Sequence, residues 1–249
     1  MAKILVMDCE TTGMDPAEDR LVEIGAVKVD TAWEPHSAAP INGIKVDGMF
    51  KSLINPQMKI PPAAMGVHHI TDAMVEHADP NVGRVIVDME KDIGFDGVEY
   101  IAFHNAKFDR QFLENEFNPG INYICTYKVA AYLYPDAPNH KNATIYYYLG
   151  IHEYPPFDLE GETLHRALPD AMITASILMV MLQQLSIDRM VEISGKPILQ
   201  KKIGFGKHFG KLWSEIDDGY INWILGKAAD FDEDVVYTAR CQKIERAQR

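Results

Sequence analysis

The sequence predicts an α/β fold with a mixed sheet, and three observations carry that expectation. Three β-patterned runs occupy the first 54 residues, close enough together to form an antiparallel meander. Beyond them, short strand patterns alternate with helical ones. A long apolar helix then closes this part before the chain changes character near residue 194.

The elements follow in order. Residues 3–8 are a run of apolar side chains ending in Asp8, as in a central strand. A loop is expected at 12–20, with Gly13, Pro16 and three acids. Leu21–Val29 alternates and is rich in β-branched residues, a second strand. After a Pro- and Gly-containing loop over 31–43, residues 44–54 give a third strand with a break at Gly48. Pro61 and Pro62 open a short helix ending near His68, and a second helix starts at Thr71 or Asp72. A helix is expected over 82–93, where Gly83 opposes it, and a fourth strand over 98–103. Residues 106–117 read as a helix with Phe108, Phe112, Leu113 and Phe117 on one face. A short fifth strand at 121–125, helices at 126–133 and 142–149, a long helix at 169–185 with Pro169 in its first turn, and a helix at 187–193 complete the pattern. Residues 1–190 are thus one expected domain and 198–249 a small second module, with Ser194-Gly-Lys-Pro as the linker.

Composition narrows the function. Of the 249 residues, 47% are hydrophobic and 24% charged, the balance of an ordinary globular chain. The opening apolar run is too short for a signal peptide, and no apolar stretch is long enough for a membrane span, so a cytoplasmic location without membrane partners is expected. Cys9, Cys125 and Cys241 are far apart and lack zinc-ligand spacing, which suits free thiols. The net charge of −12 excludes a broad basic surface for gripping duplex, but not a nucleic-acid enzyme whose acids hold cations.

The chemistry lies in three short segments. Asp8 and Glu10 are two apart on a strand, so both leave one face at its carboxyl end, where open α/β sheets place ligands. Asn105 and Asp109 stand one helical turn apart after the fourth strand, with Asn105 suited to capping the new helix. His165 precedes Asp170, which opens the long helix where the dipole favours a carboxylate. Each acid alone suits a solvated end or a cap. Four together, Asp8, Glu10, Asp109 and Asp170, cannot all ionise cheaply without cations among them. Two divalent ions about 4 Å apart resolve the repulsion and clamp a phosphodiester for in-line attack. A histidine, with an ordinary pKa of about 6.5, suits the proton transfer from the attacking water, and His165 is the candidate.

Asp8-Cys-Glu10-Thr-Thr-Gly, His104-Asn105-x-x-Phe108-Asp109 and His165-x-Ala-x-x-Asp170 resemble, in order and spacing, the three motifs of the DnaQ-like, DEDD-type exonuclease superfamily, and histidine in the third resembles its DEDDh branch. The resemblance spans about residues 4–185. It implies a ribonuclease H-like mixed five-stranded sheet flanked by helices, two Mg²⁺ or Mn²⁺ ions on Asp8, Glu10, Asp109 and Asp170, His165 as general base, and 3′→5′ exonuclease activity. Residues 62–75, Tyr123-Ile-Cys125-Thr-Tyr-Lys128 and Gly204-Phe-Gly-Lys207-His-Phe-Gly-Lys211 are similar to the exodeoxyribonuclease X family, which extends the resemblance to nearly the whole chain and implies DNA 3′ ends as substrate. The stretch between Asp30 and Lys51 is longer than in that family and implies an enlarged hairpin.

Thr11, Thr12, Met14, Asn105 and His69 (or His68) are the candidate substrate contacts by position, with Met14 an apolar wedge against a base; Glu23 carries little weight as a residue behind them. In the module, Lys201, Lys202, Lys207, His208 and Lys211 fall within eleven residues, interleaved with Phe205, Phe209 and Trp213. Such a mixture suits single-stranded nucleic acid. It also suits a small domain's own core, where Trp213, Tyr220 and Trp223 are mostly expected. The rival readings are an RNA 3′ exonuclease of the ribonuclease T or oligoribonuclease kind, a polymerase proofreading subunit, and a non-catalytic nucleic-acid module. Four intact acids and a histidine weigh against the last.

Overall fold

Ile4, Leu5, Val6 and Met7 are all fully buried, which only a central strand covered on both faces allows. In the computed structural model, which describes residues 2–31, 45–159, 161, 163 and 165–248, that strand, β1 (Lys3–Thr11), is the middle of five. It pairs antiparallel with β2 (Leu21–Asp30), which pairs antiparallel with β3 (Lys45–Leu53). On its other side β1 pairs parallel with β4 (Val98–Phe103), followed by β5 (Asn122–Cys125), giving the order β3-β2-β1-β4-β5. Most of the loop expected over 31–43, and the Ile44 start of the third strand, lie outside the described residues.

The alternation of β1 sorts its side chains into two cores. Ile4 and Val6 join a cluster with Val27, Val29, Ile124 and the inner face of a long helix. Leu5 and Met7 join Ile24, Ala26, Met89 and Leu113 on the opposite face. The first face is covered by α5 (Thr126–Leu133), α6 (Asn142–Tyr148), α7 (Ala167–Leu182) and α8 (Ile187–Ser194); the second by α3 (Val82–Ile93) and α4 (Ala106–Leu113). The short α1 (Pro62–His68) and α2 (Asp72–Val75) lie at the end of the sheet, where Val75 of α2 and Ile70 of the link between them cluster with Val22. Helix α7 is apolar around its whole circumference because it is buried around its whole circumference, against β1 and β2.

Several local expectations change for physical reasons. The third strand is not broken at Gly48. It carries a bulge at Asp47, whose carboxylate takes Lys3, Lys28 and Lys45 at 3.3 Å each. Gly83 is tolerated in α3 because Asn81 caps the helix, accepting from the Arg84 N–H at 2.9 Å, and Val85, Ile86, Met89 and Ile93 bury one face. The helix expected over 106–117 ends at Leu113 and tightens into a 3₁₀ turn at Glu114–Glu116, ahead of the helix-averse residue before Pro119. Helix α7 begins at Ala167, two residues before Pro169, because the Glu23 carboxylate accepts the Ala167 N–H at 2.9 Å and takes over the role of a cap.

Beyond α8, Ile203, Trp213, Ile216, Ile221, Ile224, Val235 and Ala239 form a separate cluster held by α9 (Asp218–Gly226) and α10 (Glu233–Ala247). Trp213 is 2% exposed, as expected of a core aromatic, and Tyr220 packs against the cluster from its edge. Trp223 is 45% exposed, contrary to expectation. On α9 the inward stripe is Ile221 and Ile224, so Tyr220, Trp223 and Lys227, three and four residues apart, share the outer flank. This part is tied to the sheet domain by ion pairs from Lys107 to Asp232 and from buried Lys128 to Glu233, both at 2.7 Å.

Candidate active site

The strand period places Asp8 and Glu10 on one side of β1 at its carboxyl end, and α7 crosses that end to bring Asp170 to them. One carboxylate oxygen from each of Asp8, Glu10 and Asp170 lies within 4.8 Å of the others. Asp109, on the first turn of α4, is 3% exposed and sits behind them, accepting the Cys9 thiol proton at 3.2 Å. His165 Nδ1 stands 3.9 Å from Asp170 Oδ2, with its side chain 67% exposed. Asp8, Met14, Asn105, His165 and Asp170 border one cleft of about 1410 Å³, whose far wall is formed by the C-terminal part.

The electrostatics are those of carboxylates crowded without counter-charge. Burial, then the charges of Asp109, Asp170 and Glu10, push Asp8 well above the usual carboxylate range. Burial, then Asp170, Glu23 and Asp109, push Glu10 up to about 8, with Arg166 opposing. Burial raises Asp109 to about 7 against the Cys9 hydrogen bond, and it raises Asp170 against the pull of His165. Converging hard oxygen donors that resist ionisation fit a divalent cation, which would remove the repulsion and accept these ligands.

Residues 5–178 match the family described as Exonuclease, of the RNase T kind. The chain belongs to the exonuclease family. This exonuclease is 32% identical to Exodeoxyribonuclease 10 of Escherichia coli (strain K12) over 225 residues, 88% of this chain and 89% of that protein. It is 31% identical over 189 residues, 72% of this chain and 11% of the other, to DNA polymerase III PolC-type of Bacillus subtilis (strain 168). A solved structure of Exonuclease X in complex with 5′ overhanging duplex DNA superposes with a TM-score of 0.58 and 30% identity, over 78% of this chain and all of that one. The family relation and the ribonuclease H-like mixed sheet expected from the motifs are therefore findings, and the exonuclease is a DnaQ-like 3′–5′ nuclease whose family works with divalent metal ions.

The remaining positions divide into those at the cleft and those behind it. Asn105 occupies the cap position of α4 but caps nothing: its backbone is left-handed (φ 72°), which turns the side chain away from the helix N–H groups. His165 is likewise left-handed at φ 60°, an uncommon conformation for a histidine. Met14 is 75% exposed at the rim. Thr11 and Thr12 are buried and their hydroxyls are engaged in the loop, Thr11 donating to the Gly13 carbonyl at 2.5 Å and Thr12 to Asp19 at 3.0 Å. His69 is exposed at the left-handed C-cap of α1 and does not border the cleft, whereas His68 is 1% exposed, accepts the Ile70 N–H at 3.0 Å and turns its Nε2 toward the Thr11 backbone without a well-formed hydrogen bond. His104 is held on both nitrogens, by Thr126 Oγ1 at 2.9 Å and the His140 carbonyl at 2.7 Å, and burial lowers it to about 4, so it stays neutral and structural.

Two further residues build the site in this exonuclease: Glu23, to which sequence reasoning gives little weight, and Gly25, which it does not single out. Glu23, 2% exposed on β2, is forked by Arg166 through Nε at 2.9 Å and through Nη2, and also holds the Ala167 N–H. This clamp fixes the start of α7 and so the position of Asp170. Gly25, paired with Asp8 across the sheet, gives α7 room: a Cβ there would sit 2.2 Å from the Ala167 carbonyl carbon. The signals in the sequence are an acid in the middle of an apolar strand and a glycine two residues later.

Proposed function

We propose that this exonuclease removes nucleotides one at a time from the 3′ end of DNA and releases 5′-mononucleotides. The observation that carries the reading is the convergence of Asp8, Glu10 and Asp170 oxygens within 4.8 Å, with the His165 imidazole at its edge. Asp8, Glu10, Asp109 and Asp170 would hold two Mg²⁺ or Mn²⁺ ions, which supply Lewis-acid stabilisation of charge on the scissile phosphate. His165 accepts the proton of the attacking water through its neutral imidazole, and Asp170 stabilises the imidazolium that results. His104 is excluded from that role because both its nitrogens are occupied.

Met14 offers an apolar face to the terminal base and Asn105 a polar group at the cleft wall. Thr11 and Thr12 lie behind the wall with their hydroxyls used in the loop and would act only through backbone atoms, and His69, which lies off the cleft, has no part in it. DNA is favoured over RNA as substrate by the resemblance to Exodeoxyribonuclease 10, which extends into the C-terminal part. Residues 1–190 form the catalytic domain and 198–249 a module of its own, as the separate core around Trp213 supports. A cytoplasmic location fits described helices none of which alone is long and apolar enough to cross a membrane.

The test is digestion of 5′-labelled single-stranded DNA, duplex DNA and RNA with and without Mg²⁺. The expected outcome is a ladder of 3′-shortened DNA that stops in excess chelator and resumes with added Mg²⁺ or Mn²⁺. Rapid cleavage of circular single-stranded DNA, or full activity in chelator, would overturn the reading.

A further inference from the structure

One cluster of residues remains unused by the catalytic reading. Phe205 borders the same cleft as Asp8 and Asp170. From it a continuous series of rings leads outward: Phe205 to Phe231 at 5.1 Å between centroids, Phe231 to Trp223 at 5.4 Å, Trp223 stacked on Tyr220 at 5.1 Å, and Tyr220 to His208 at 4.5 Å. Phe205, Tyr220 and Phe231 pack on one side against the module's core of Trp213 and the isoleucines around it, and each stays partly exposed on the other. Trp223 is 45% exposed and Phe209, at the tip of the neighbouring turn, 74% exposed.

Cations line the series. Lys207 Nζ lies 5.3 Å from the Tyr220 ring centre and Lys227 Nζ 5.7 Å from that of Trp223. The segment from Lys201 to Trp213 carries four lysines and no acid, in a chain whose net charge is −12. Backbone bonds from Ile203 N to Lys211 O at 2.9 Å and from Gly210 N to Ile203 O at 2.8 Å close it into a narrow turn. Gly206 lets the turn reach the rings: its φ is +60°, and a Cβ would stand 3.1 Å from the Tyr220 hydroxyl.

We propose that the rings from Phe205 to Trp223, with Lys207 and Lys227, form a track for the single-stranded DNA that leads away from the scissile 3′ nucleotide. The occupant follows from three features together. The series begins in the catalytic cleft, it leads through partly exposed rings to an exposed indole at Trp223 that suits a base whatever its sequence, and its lysines suit a phosphate chain. A folded protein partner would be expected to cover the apolar tip at Phe209 but has no use for a line of rings continuous with the acids. The inference rests on the reading of the cleft as a DNA exonuclease site, and it adds where the strand goes.

The experiment compares oligo-dT of 3 and 20 nucleotides on the full-length enzyme with Mg²⁺. Trp223→Ala should raise KM for the 20-mer about tenfold, the size of one lost base stack, and far more than it raises KM for the 3-mer, which should end at the start of the track, short of Trp223. Trp223→Phe should recover most of the loss. Lys207→Ala/Lys227→Ala, at exposed positions where folding is not in question, should lower the slope of log binding against log salt by about 1.4, or roughly 0.7 per lost phosphate contact. Equal changes on both oligonucleotides, or none, would overturn the track. Anisotropy of 5′-labelled dT20 in excess chelator separates this failure from failure of the catalytic reading. If wild type degrades no DNA but binds dT20 and Trp223→Ala does not, the track stands; if both bind equally, it falls.

Discussion

Glu10 shows what the carboxylate cluster costs. Its folded pKa of about 8 lies above its ordinary value of 4.5, so between these pH values the native state keeps a proton that the unfolded chain gives up. Stability of the metal-free protein therefore falls as pH rises from about 4.5 to about 8, and the cost is absent below that window. Glu10→Gln should raise the Tm of metal-free protein at pH 8, by roughly 2–4 °C per kcal/mol of repulsion removed, and leave it unchanged at pH 4, while abolishing turnover. Differential scanning calorimetry at the two pH values checks this; an equal Tm change at both would mean that the cluster is not the cause. Divalent metal should stabilise the wild type more at pH 8 than at pH 6, because binding must displace the retained protons. His165 belongs to the same scale. His165→Ala should slow turnover by roughly 10²–10⁴-fold on folded, metal-binding protein, and an unchanged rate would deny it the proton transfer.

At the scale of elements, the site depends on how closely α7 approaches β2. Gly25→Ala would drive a methyl group into the backbone at Ala167, and overpacking of this kind costs about 1–3 kcal/mol. The displaced helix carries Asp170, so turnover should drop further than stability does, measurable as kcat on folded variant. Glu23→Gln weakens a fork whose Arg166 half is partly exposed and should destabilise by about 1–3 kcal/mol, and Arg166→Lys in the wild-type background should also weaken it, since an ammonium cannot make the bidentate contact. This level also marks what could be read from the sequence. Strand β1 declared itself because an unbroken apolar run ending in Asp8 leaves few alternatives, and the acids declared themselves by spacing along periodic elements. The Glu23–Arg166 clamp spans 143 positions in the chain, and no local pattern carries a pairing at that distance. Asn105 misled for a related reason: its residue type suits a cap, but its backbone is left-handed and its side chain makes no capping hydrogen bond. Trp223 misled because hydrophobicity alone does not say which flank of α9 faces inward.

For the whole molecule, the question is what the C-terminal part contributes once it is docked. Its seam with the sheet domain is polar: Lys128, 9% exposed, meets Glu233 at 2.7 Å and Asp234 at 3.8 Å, and Asp234 also accepts the Ile198 N–H at 2.9 Å. A chain ending after Ser194 keeps the hydrogen bond from Cys125 N to Ser194 Oγ at 2.8 Å, and it exposes Lys128 to water instead of stranding it. The catalytic core should therefore still unfold cooperatively and still be stabilised by divalent metal. Within the full chain, by contrast, Asp234→Ala leaves part of the Lys128 charge unpaired in a buried seam and removes a partner from Ile198. It should loosen the dock, visible as faster proteolysis between residues 195 and 200, while the truncated chain gains nothing from the same logic. On DNA substrates the truncated chain should show a higher KM, a kcat near that of the full chain, and a shallower salt dependence, since what disappears is binding shared by ground and transition states. Steady-state kinetics at several salt concentrations on both proteins decides between roles. Identical salt slopes with a lower Tm in the truncated chain would assign the module to stability alone.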